Sequence, residues 1–283
     1  MSLTYNEYYN ERTGLTVGIN EVLFSEQTPY QNVEILETDS WGRLMTIDGM
    51  VMLSEKDEFV YHEMLTHVAL FAHPKPERVL IVGGGDGGTA REAMRHPSVE
   101  QVDLVEIDET VVRASQEFMP AVGDWENPKL NVIFQDGIQF VKDIDRPYDV
   151  IIIDGSDPVG PAEGLFENTF MQACHDGLTP NGVITAQTES PWVADYHSSM
   201  KQVFSAMDDI YKLSKMYLAY IPLYPAGMWS FCYASKGANP LGDDCLQRVE
   251  QGLDNFNADL KYYNPEVHRG SFALPNFVRD IID

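Results

Sequence analysis

Acidic side chains follow four consecutive strand-like segments in the middle of the sequence. The positions are Asp86, Glu106, Asp136 and the pair Asp154 and Asp157. One such residue would be unremarkable, because Asp is a common turn former. Ligands of open parallel sheets bind at the carboxyl ends of the strands, so four acidic positions at that edge indicate a site. Carboxylates placed there can hold a cation, accept hydrogen bonds from a ribose, or act as a general base.

A glycine-rich loop carries the first of these acids. Residues 79–91, VLIVGGGDGGTAR, combine a short apolar run, the loop and the start of a helix. The run predicts a buried strand, and the glycines permit a tight turn and a close backbone approach to a ligand. Gly83, Gly85 and Gly88 fit the G-x-G-x-x-G pattern of nucleotide-binding βαβ units. The carboxylate of Asp86 would repel a pyrophosphate, so the loop disfavours NAD and favours a cation.

The next two acids are placed to bind a nucleoside. Glu106 lies about 20 residues beyond the loop, where a carboxylate accepts hydrogen bonds from both ribose hydroxyls. Asp136, followed by Gly137, lies where a carboxylate could accept from an adenine amino group. A solvated loop acid is the alternative at Glu106, and a structural turn is the alternative at Asp136.

The segment 154–161, DGSDPVGP, has two acids three residues apart in a loop defined by Pro and Gly. Asp154 follows an apolar strand at the sheet edge. Burial and acidic neighbours would both raise its pKa, which suits a general base. For Asp157 a helix cap or a turn is the alternative.

Composition excludes several classes of protein. The net charge of −25 argues against nucleic acid and anionic membranes and favours cationic ligands, although solubility or a saline habitat explains the total charge equally well. No apolar run approaches the roughly 18–20 residues that span a bilayer, and the N-terminus has no signal-peptide pattern, so we expect a cytoplasmic protein. The three cysteines are widely spaced and form no C-x-x-C, which indicates neither a disulfide framework nor a zinc site.

Two patterns of secondary structure must position these residues. Residues 1–56 contain short strand-like pieces between turn signals, which predict a small antiparallel β domain. A helix then starts with Asp57 as its cap and Glu58 in its first turn, and ends before Pro74. Strands and helices alternate after it, so we predict that residues 57–283 form an α/β domain with a mostly parallel sheet.

Five motifs in order along the chain resemble those of the polyamine aminopropyltransferase family, which includes the spermidine synthases. They are VLIVGGGDGGTARE, DGSDPVGP, SEKDEFVYHEM, IPLYPAGMWSF and YYNPEVHRGSFALP. The family transfers an aminopropyl group from decarboxylated S-adenosylmethionine to an amine, usually putrescine. The resemblance covers nearly the whole chain and implies a methyltransferase-like Rossmann domain behind a small N-terminal β domain. It also implies a homodimer or homotetramer, with a co-substrate and no cofactor or metal.

The resemblance implies three groups of site residues. The catalytic group contains the proton acceptor Asp154 with Tyr61 and Tyr224. The amine-binding group contains His62, Asp86, Gly155, Ser156, Asp157 and Gln187. The group that binds the donor nucleoside contains Gln31, Gly83, Gly84, Gly85, Glu106, Asp136, Gly137 and Pro161.

The chemistry of the implied reaction agrees with these residue types. An ordinary methyl donor carries a carboxylate that Asp86 would repel, which argues against a methyltransferase. The acceptor amine must lose a proton, which Asp154 would take, and displacement at the carbon next to sulfur then needs mainly positioning.

Departures from the family pattern leave the acceptor open. Leu223 stands where Thr is commoner, Ala226 where Ser is commoner, and Gly155 where many relatives have Ser. Leu223 adjoins Tyr224, so we expect it to influence the amine pocket. Putrescine is favoured, with cadaverine, agmatine or a longer polyamine as alternatives. A polyamine-binding protein without activity is the alternative from a different class.

Overall fold

A computed structural model describes residues 3–155, 164–165, 167–254, 256 and 259–283. These residues form two β-sheets, one of five strands and one of seven, with helices packed on the second. The arrangement confirms the predicted fold class, an antiparallel N-terminal sheet followed by a Rossmann-like α/β layer structure. Among the residues that the structure describes, no helix has the length and apolarity to cross a membrane.

The N-terminal sheet is a meander in which each strand pairs with the next. Its strands are β1 (Leu3–Asn10), β2 (Thr13–Gln27), β3 (Asn32–Thr38), β4 (Arg43–Ile47) and β5 (Met50–Ser54). Asp48 and Gly49 both have positive φ, at 51° and 77°, as a tight hairpin turn between β4 and β5 requires. The inner strands carry the core residues of this sheet, and these pack against Val111 and Ala114 from the later part of the chain.

The first long helix, α1 (Glu58–Ala72), is buried along almost its whole length and ends before Pro74 as predicted. Asp57 occupies the N-cap position as predicted, but its side chain makes no capping hydrogen bond. Its carboxylate instead accepts from Ser54 Oγ at 2.6 Å and from the backbone N–H of Leu223 at 3.1 Å. Asp57 therefore ties the start of α1 to a distant loop.

The seven-stranded sheet has the order β11-β12-β10-β9-β6-β7-β8. Its strands are β6 (Arg78–Gly83), β7 (Gln101–Glu106), β8 (Leu130–Phe134), β9 (Tyr148–Asp154), β10 (Leu178–Glu189), β11 (Leu213–Tyr220) and β12 (Met228–Ser235). Strands β6 to β10 are parallel, and β12 is antiparallel to both of its neighbours. The chain moves outward from β6 to β8 and then returns to the other side of β6, so the strand order reverses between β6 and β9. Such a switch point leaves a crevice outside the carboxyl ends of the two strands.

Helices cover both faces of this sheet. They are α1 with α2 (Gly88–Met94), α3 (Glu109–Phe118), α4 (Gly137–Phe140), α5 (Asn168–Asp176), α6 (His197–Ile210), α7 (Asp243–Asp254), α8 (Pro265–Ser271) and α9 (Asn276–Ile282). Alternate residues of β6 join different cores, with Val79 and Ile81 on the α1 side and Leu80 and Val82 on the α5 and α6 side. Burial on both faces explains the continuous apolar run that identified this strand in the sequence.

Candidate active site

One pocket opens at the switch point between β6 and β9, and it is lined by every predicted site residue that the structure describes. These are Gln31, Tyr61, His62, Gly83, Gly84, Gly85, Asp86, Glu106, Asp136, Gly137, Asp154, Gly155, Gln187 and Tyr224. Ser156, Asp157 and Pro161 lie outside the described residues, and their assignment stays a prediction. The acids that follow separate strands in the sequence thus converge on one cavity.

The glycine loop makes room for side chains of the pocket. Gly84 has a φ of +72°, and a Cβ at this position would lie 2.8 Å from Asp154 Oδ2. A Cβ at Gly88 would lie 2.3 Å from the His62 ring. Glycine is therefore required here for the approach of two protein side chains, in addition to any ligand that the loop contacts.

Asp154 lies at the end of β9 with 8% of its surface exposed. Its Oδ1 accepts a hydrogen bond from the Tyr61 hydroxyl and its Oδ2 accepts one from the Thr89 hydroxyl, both at 2.6 Å. Burial, followed by the negative charge of Asp86, raises the pKa of Asp154 to about 6. The carboxylate is held by two donors and remains ionised at neutral pH, which suits a group that accepts a proton.

Asp86 and His62 form the second charged group of the pocket. His62 Nε2 lies 3.1 Å from Asp86 Oδ1, and the same Asp86 oxygen accepts the backbone N–H of Gly88 at 2.7 Å. Burial raises the pKa of Asp86, but His62 outweighs it and holds the pKa below its usual range. Burial likewise opposes protonation of His62, yet Asp86 and Glu58 raise its pKa to about 10.

His62, Asp86 and Asp154 can each direct a polar atom to a common point. Their nearest ligand atoms all lie within 4.8 Å of one another, a spacing that could hold a metal ion. A protonated imidazole has no lone pair to give to a metal. With the His62 ring protonated, the two carboxylates can instead bind an ammonium group.

The opposite end of the pocket contains the residues predicted to bind a nucleoside. Burial raises the pKa of Glu106 to about 7, and its Oε1 accepts the backbone N–H of Asp108 at 3.0 Å. Gln31 Nε2 donates to Asp108 Oδ2 at 3.2 Å, which brings the N-terminal sheet to the edge of the pocket. Asp136 accepts the N–H of Ile138 at 2.8 Å, so it caps α4 while also lining the cavity.

Aromatic rings lie at the end of the pocket that contains the residues predicted to bind an amine, called the amine end below. The ring centroids of Tyr61 and Tyr224 are 5.8 Å apart, and those of Tyr224 and Trp229 are 4.7 Å apart. The Tyr224 hydroxyl donates to the carbonyl of Met52 in β5, so its orientation depends on the N-terminal sheet. Gln187 donates to the carbonyl of Gly155 at 3.0 Å, which fixes the start of the loop after β9.

Leu223 does not line this pocket in the described part of the chain. Its side chain is buried in a cluster with Val17, Leu36, Leu44 and Val51 of the N-terminal sheet. Tyr224, the next residue, lines the cavity and also packs against this cluster, so Leu223 lies behind the pocket wall. Leu223 therefore has no direct contact with the cavity, and its expected influence on the amine stays a prediction that would have to act through Tyr224.

Sequence reasoning missed the residues that support the site. Thr89 holds Asp154, Asp108 holds Gln31, and Glu58 lies 2.6 Å from Nδ1 of His62. The signal for Glu58 was available, because Glu58 and His62 are four residues apart and share a helix face.

Two family models match adjoining parts of the chain. The spermidine synthase tetramerisation domain matches residues 3–55, and the spermine/spermidine synthase domain matches residues 58–242. The second match alone covers more than half of the sequence.

Curated relatives are similar over the full length. The polyamine aminopropyltransferase of Thermoanaerobacter sp. (strain X514) is 43% identical over 286 residues, which cover 100% of this chain and 99% of the relative. That of Alkaliphilus metalliredigens (strain QYMF) is 42% identical over 285 residues, with the same two coverages.

Solved structures show the same fold. A crystal structure of spermidine synthase in complex with the transition-state analogue AdoDATO has a TM-score of 0.94 and 40% identity, and the match covers 99% of this chain and 94% of that one. Spermidine synthase from Thermotoga maritima has a TM-score of 0.91 and 39% identity, with the same coverages.

Proposed function

Since this chain belongs to the spermine/spermidine synthase family of polyamine aminopropyltransferases, we propose that it makes spermidine. In this proposal the enzyme transfers the aminopropyl group of decarboxylated S-adenosylmethionine to putrescine, and methylthioadenosine is the second product. The observation that carries the proposal is the buried Asp154 carboxylate beside Asp86 and His62, in the same pocket as Glu106 and Asp136. One cavity thus offers a base, a site for ammonium groups and a site for a nucleoside.

Asp154 is the proton acceptor in this mechanism. The attacking nitrogen of putrescine is protonated in water, and its proton passes to Asp154. The freed lone pair forms a bond to the methylene carbon attached to sulfur. The carbon–sulfur bond breaks, and its electron pair neutralises the sulfonium. The leaving group is neutral, so it needs no acid to leave. The reaction therefore needs only a base for the amine and accurate positioning, and no step uses a metal or another cofactor.

The amine end positions the aminopropyl arm of the donor and the acceptor diamine, which are both cationic. Asp86 binds the ammonium at the end of the aminopropyl arm, and its charge disfavours a methyl donor, which carries a carboxylate at that place. Tyr61 orients the base through its hydrogen bond to Oδ1, and Tyr224 helps to orient the attacking amine. His62, Gly155, Ser156, Asp157 and Gln187 complete the proposed amine site.

The nucleoside end holds the rest of the donor. We assign the ribose hydroxyls to Glu106 and the adenine amino group to Asp136. Gln31, Gly137, Pro161 and the loop glycines Gly83, Gly84 and Gly85 complete this site. A carboxylate at Glu106 can accept two hydrogen bonds at once, which fits a pair of neighbouring hydroxyls.

Assembly and organisation form a further part of the proposal. The match of residues 3–55 to a tetramerisation domain supports a homodimer or homotetramer built through the N-terminal sheet. We also infer two domains, residues 1–56 and 57–283, and a cytoplasmic location.

A product assay tests the proposed reaction. Decarboxylated S-adenosylmethionine is supplied with putrescine, cadaverine, agmatine or spermidine, and methylthioadenosine is measured. We expect release with putrescine preferred. Release only with another amine would keep the mechanism and change the acceptor. Binding of spermidine with no release from any pair would instead indicate a polyamine-binding protein, and transfer from intact S-adenosylmethionine would contradict the role of Asp86.

A further inference from the structure

Both ring nitrogens of His62 face carboxylate oxygens. Nδ1 lies 2.6 Å from Glu58 Oε2, and Nε2 lies 3.1 Å from Asp86 Oδ1. The ring is 1% exposed, so water does not separate these atoms from their partners. A neutral imidazole carries one N–H, and its second nitrogen would direct a lone pair at a carboxylate. Only the doubly protonated ring donates to both partners.

Glu58 is itself held in place. Arg91 donates to it from two nitrogens, Nη1 to Oε1 at 3.1 Å and Nη2 to Oε2 at 2.9 Å. Arg91 also donates to Glu92 Oε1 at 2.8 Å and to the carbonyl of Val122 at 2.6 Å. A bidentate pair of this kind fixes the carboxylate in direction as well as position. Glu58 is therefore not free to turn away from His62.

The charges alternate along this chain of contacts. Asp86, His62, Glu58, Arg91 and Glu92 are negative, positive, negative, positive and negative in turn, and all are at least largely buried. A buried charge is tolerated when each neighbour has the opposite sign. Loss of the Glu58 carboxylate would leave His62 with one carboxylate partner. It would also remove the two hydrogen bonds that Arg91 makes to Glu58.

We propose that Glu58 is a positioning residue of the amine site, which holds His62 doubly protonated against Asp86. The part of this inference that concerns turnover rests on the proposed function. A His62 that already carries both protons cannot take the proton of the attacking amine, so that proton goes to Asp154. The fixed imidazolium also offsets the charge of Asp86 at Asp154, which keeps Asp154 ionised at neutral pH.

Other titratable groups face the same cluster. From the elements packed around it, the described groups are Glu58 and Tyr61 of α1, Asp86 of the glycine loop, Arg91 of α2, Asp154 of β9 and Tyr224 of the β11–β12 loop. Among them only Glu58 and Asp86 contact the His62 ring nitrogens. Glu58 is the one that can be changed without removing a group that the proposed reaction uses directly.

The direct test is nitrogen NMR of the free enzyme labelled with ¹⁵N-histidine. The chain has 7 histidines, and the His62→Gln protein identifies the His62 signals. We expect the pattern of a doubly protonated ring from pH 6 to about 9 in the unaltered enzyme. A neutral His62 at pH 7 would overturn the proposal. No substrate is present, so this result stands whether or not aminopropyl transfer is observed.

The variant test compares Glu58→Gln with Glu63→Gln. Glu63 is also buried on α1, but it accepts the backbone N–H groups of residues 261–263, away from the pocket. In Glu58→Gln we expect His62 to titrate at least about one pH unit lower, and the acidic limb of kcat/KM for the amine to move to higher pH. Glu63→Gln should leave both unchanged even where its thermal stability falls. Identical behaviour of the two variants would contradict the proposal.

Arg91→Lys provides a second route if Glu58→Gln does not fold. Lysine keeps the positive charge but cannot form the bidentate pair that fixes Glu58. We expect a downward shift of the His62 titration in the same direction and smaller in size. No shift in a folded Arg91→Lys protein would show that the orientation of Glu58 does not control His62.

Discussion

The two ends of the pocket are built from the same residue types but use them differently. At the amine end, Asp86, Asp154 and His62 lie within 4.8 Å of one another, and the pKa of each is shifted by its neighbours. At the nucleoside end, Glu106 and Asp136 are tied to backbone N–H groups at the starts of α3 and α4. The first end is therefore a set of coupled charges, and the second is a set of fixed acceptors.

Because of this difference, substitutions at the two ends should change different kinetic quantities. A change at the amine end alters the protonation of its neighbours, so it should appear in kcat and in the pH profile. A change at the nucleoside end alters one hydrogen bond at a time, so it should appear in the KM of the donor.

The largest effect is expected from Asp154→Asn. The amide cannot accept the proton of the attacking amine, and loss of a general base lowers kcat by about 10²- to 10⁴-fold. Both substrates should still bind, which calorimetry with each ligand would show. Asp103→Asn is the matched control, because Asp103 is also buried in the sheet but bonds to Tyr148 and Asn131 away from the pocket. Near-normal turnover by Asp154→Asn would remove Asp154 as the base.

At the nucleoside end, Glu106→Gln should raise the KM of the donor by about 10- to 100-fold, since one oxygen that can accept from a ribose hydroxyl is replaced by an N–H donor. With saturating donor, kcat should stay near that of the unaltered enzyme. Steady-state kinetics with each substrate varied in turn separates the two quantities. A large fall in kcat at unchanged KM would show that the two ends are not independent.

The pH dependence of activity should follow the titration of Asp154. Asp154 must be ionised to accept a proton, and its pKa is raised to about 6. Activity should therefore be retained above this pH and fall by about tenfold per pH unit below it. The profile of kcat/KM for the amine reports this group in the free enzyme. A limb near the usual range of an exposed Asp would mean that burial and Asp86 do not act on Asp154 as the structure indicates.

The sequence predicted the strands that bring the acids together because buried parallel strands leave a strong local signal. The run before Gly83 is apolar at every position, since β6 is covered on both faces. The acids at the ends of β6, β7 and β9 follow from the general rule for parallel sheets. These features depend on residues that are close in the sequence.

The rest depends on contacts between distant segments. Thr89 reaches Asp154 across 65 positions, and Gln31 reaches Asp108 across 77. Asp57 carries the signature of a helix cap, but its carboxylate bonds to the loop at Leu223. No periodic pattern records which of two neighbouring loop residues lines the cavity, so the sequence could not show that Tyr224 lines the pocket and Leu223 does not.

The smallest effect on acceptor choice is expected from Leu223→Thr. This variant tests whether residues behind the pocket wall influence the choice of amine. Leu223 is 2% exposed and packs on Leu36, Leu44 and Val51 behind the Tyr224 ring. Replacement removes apolar contacts and buries a hydroxyl, so the free energy of unfolding should fall by about 2–4 kcal/mol. Chemical denaturation measures this loss.

The ratio of kcat/KM between putrescine and cadaverine should nevertheless stay the same in Leu223→Thr. Ile221 provides the contrast, because it is similarly buried in the same loop but lines the pocket. Ile221→Val enlarges the cavity itself, and we expect it to shift the ratio towards the longer diamine. If Leu223→Thr shifted the ratio as much as Ile221→Val does, the wall of the amine end would extend through Tyr224 into the N-terminal sheet. Acceptor choice would then depend on the packing between the two sheets as well as on the charges in the cavity.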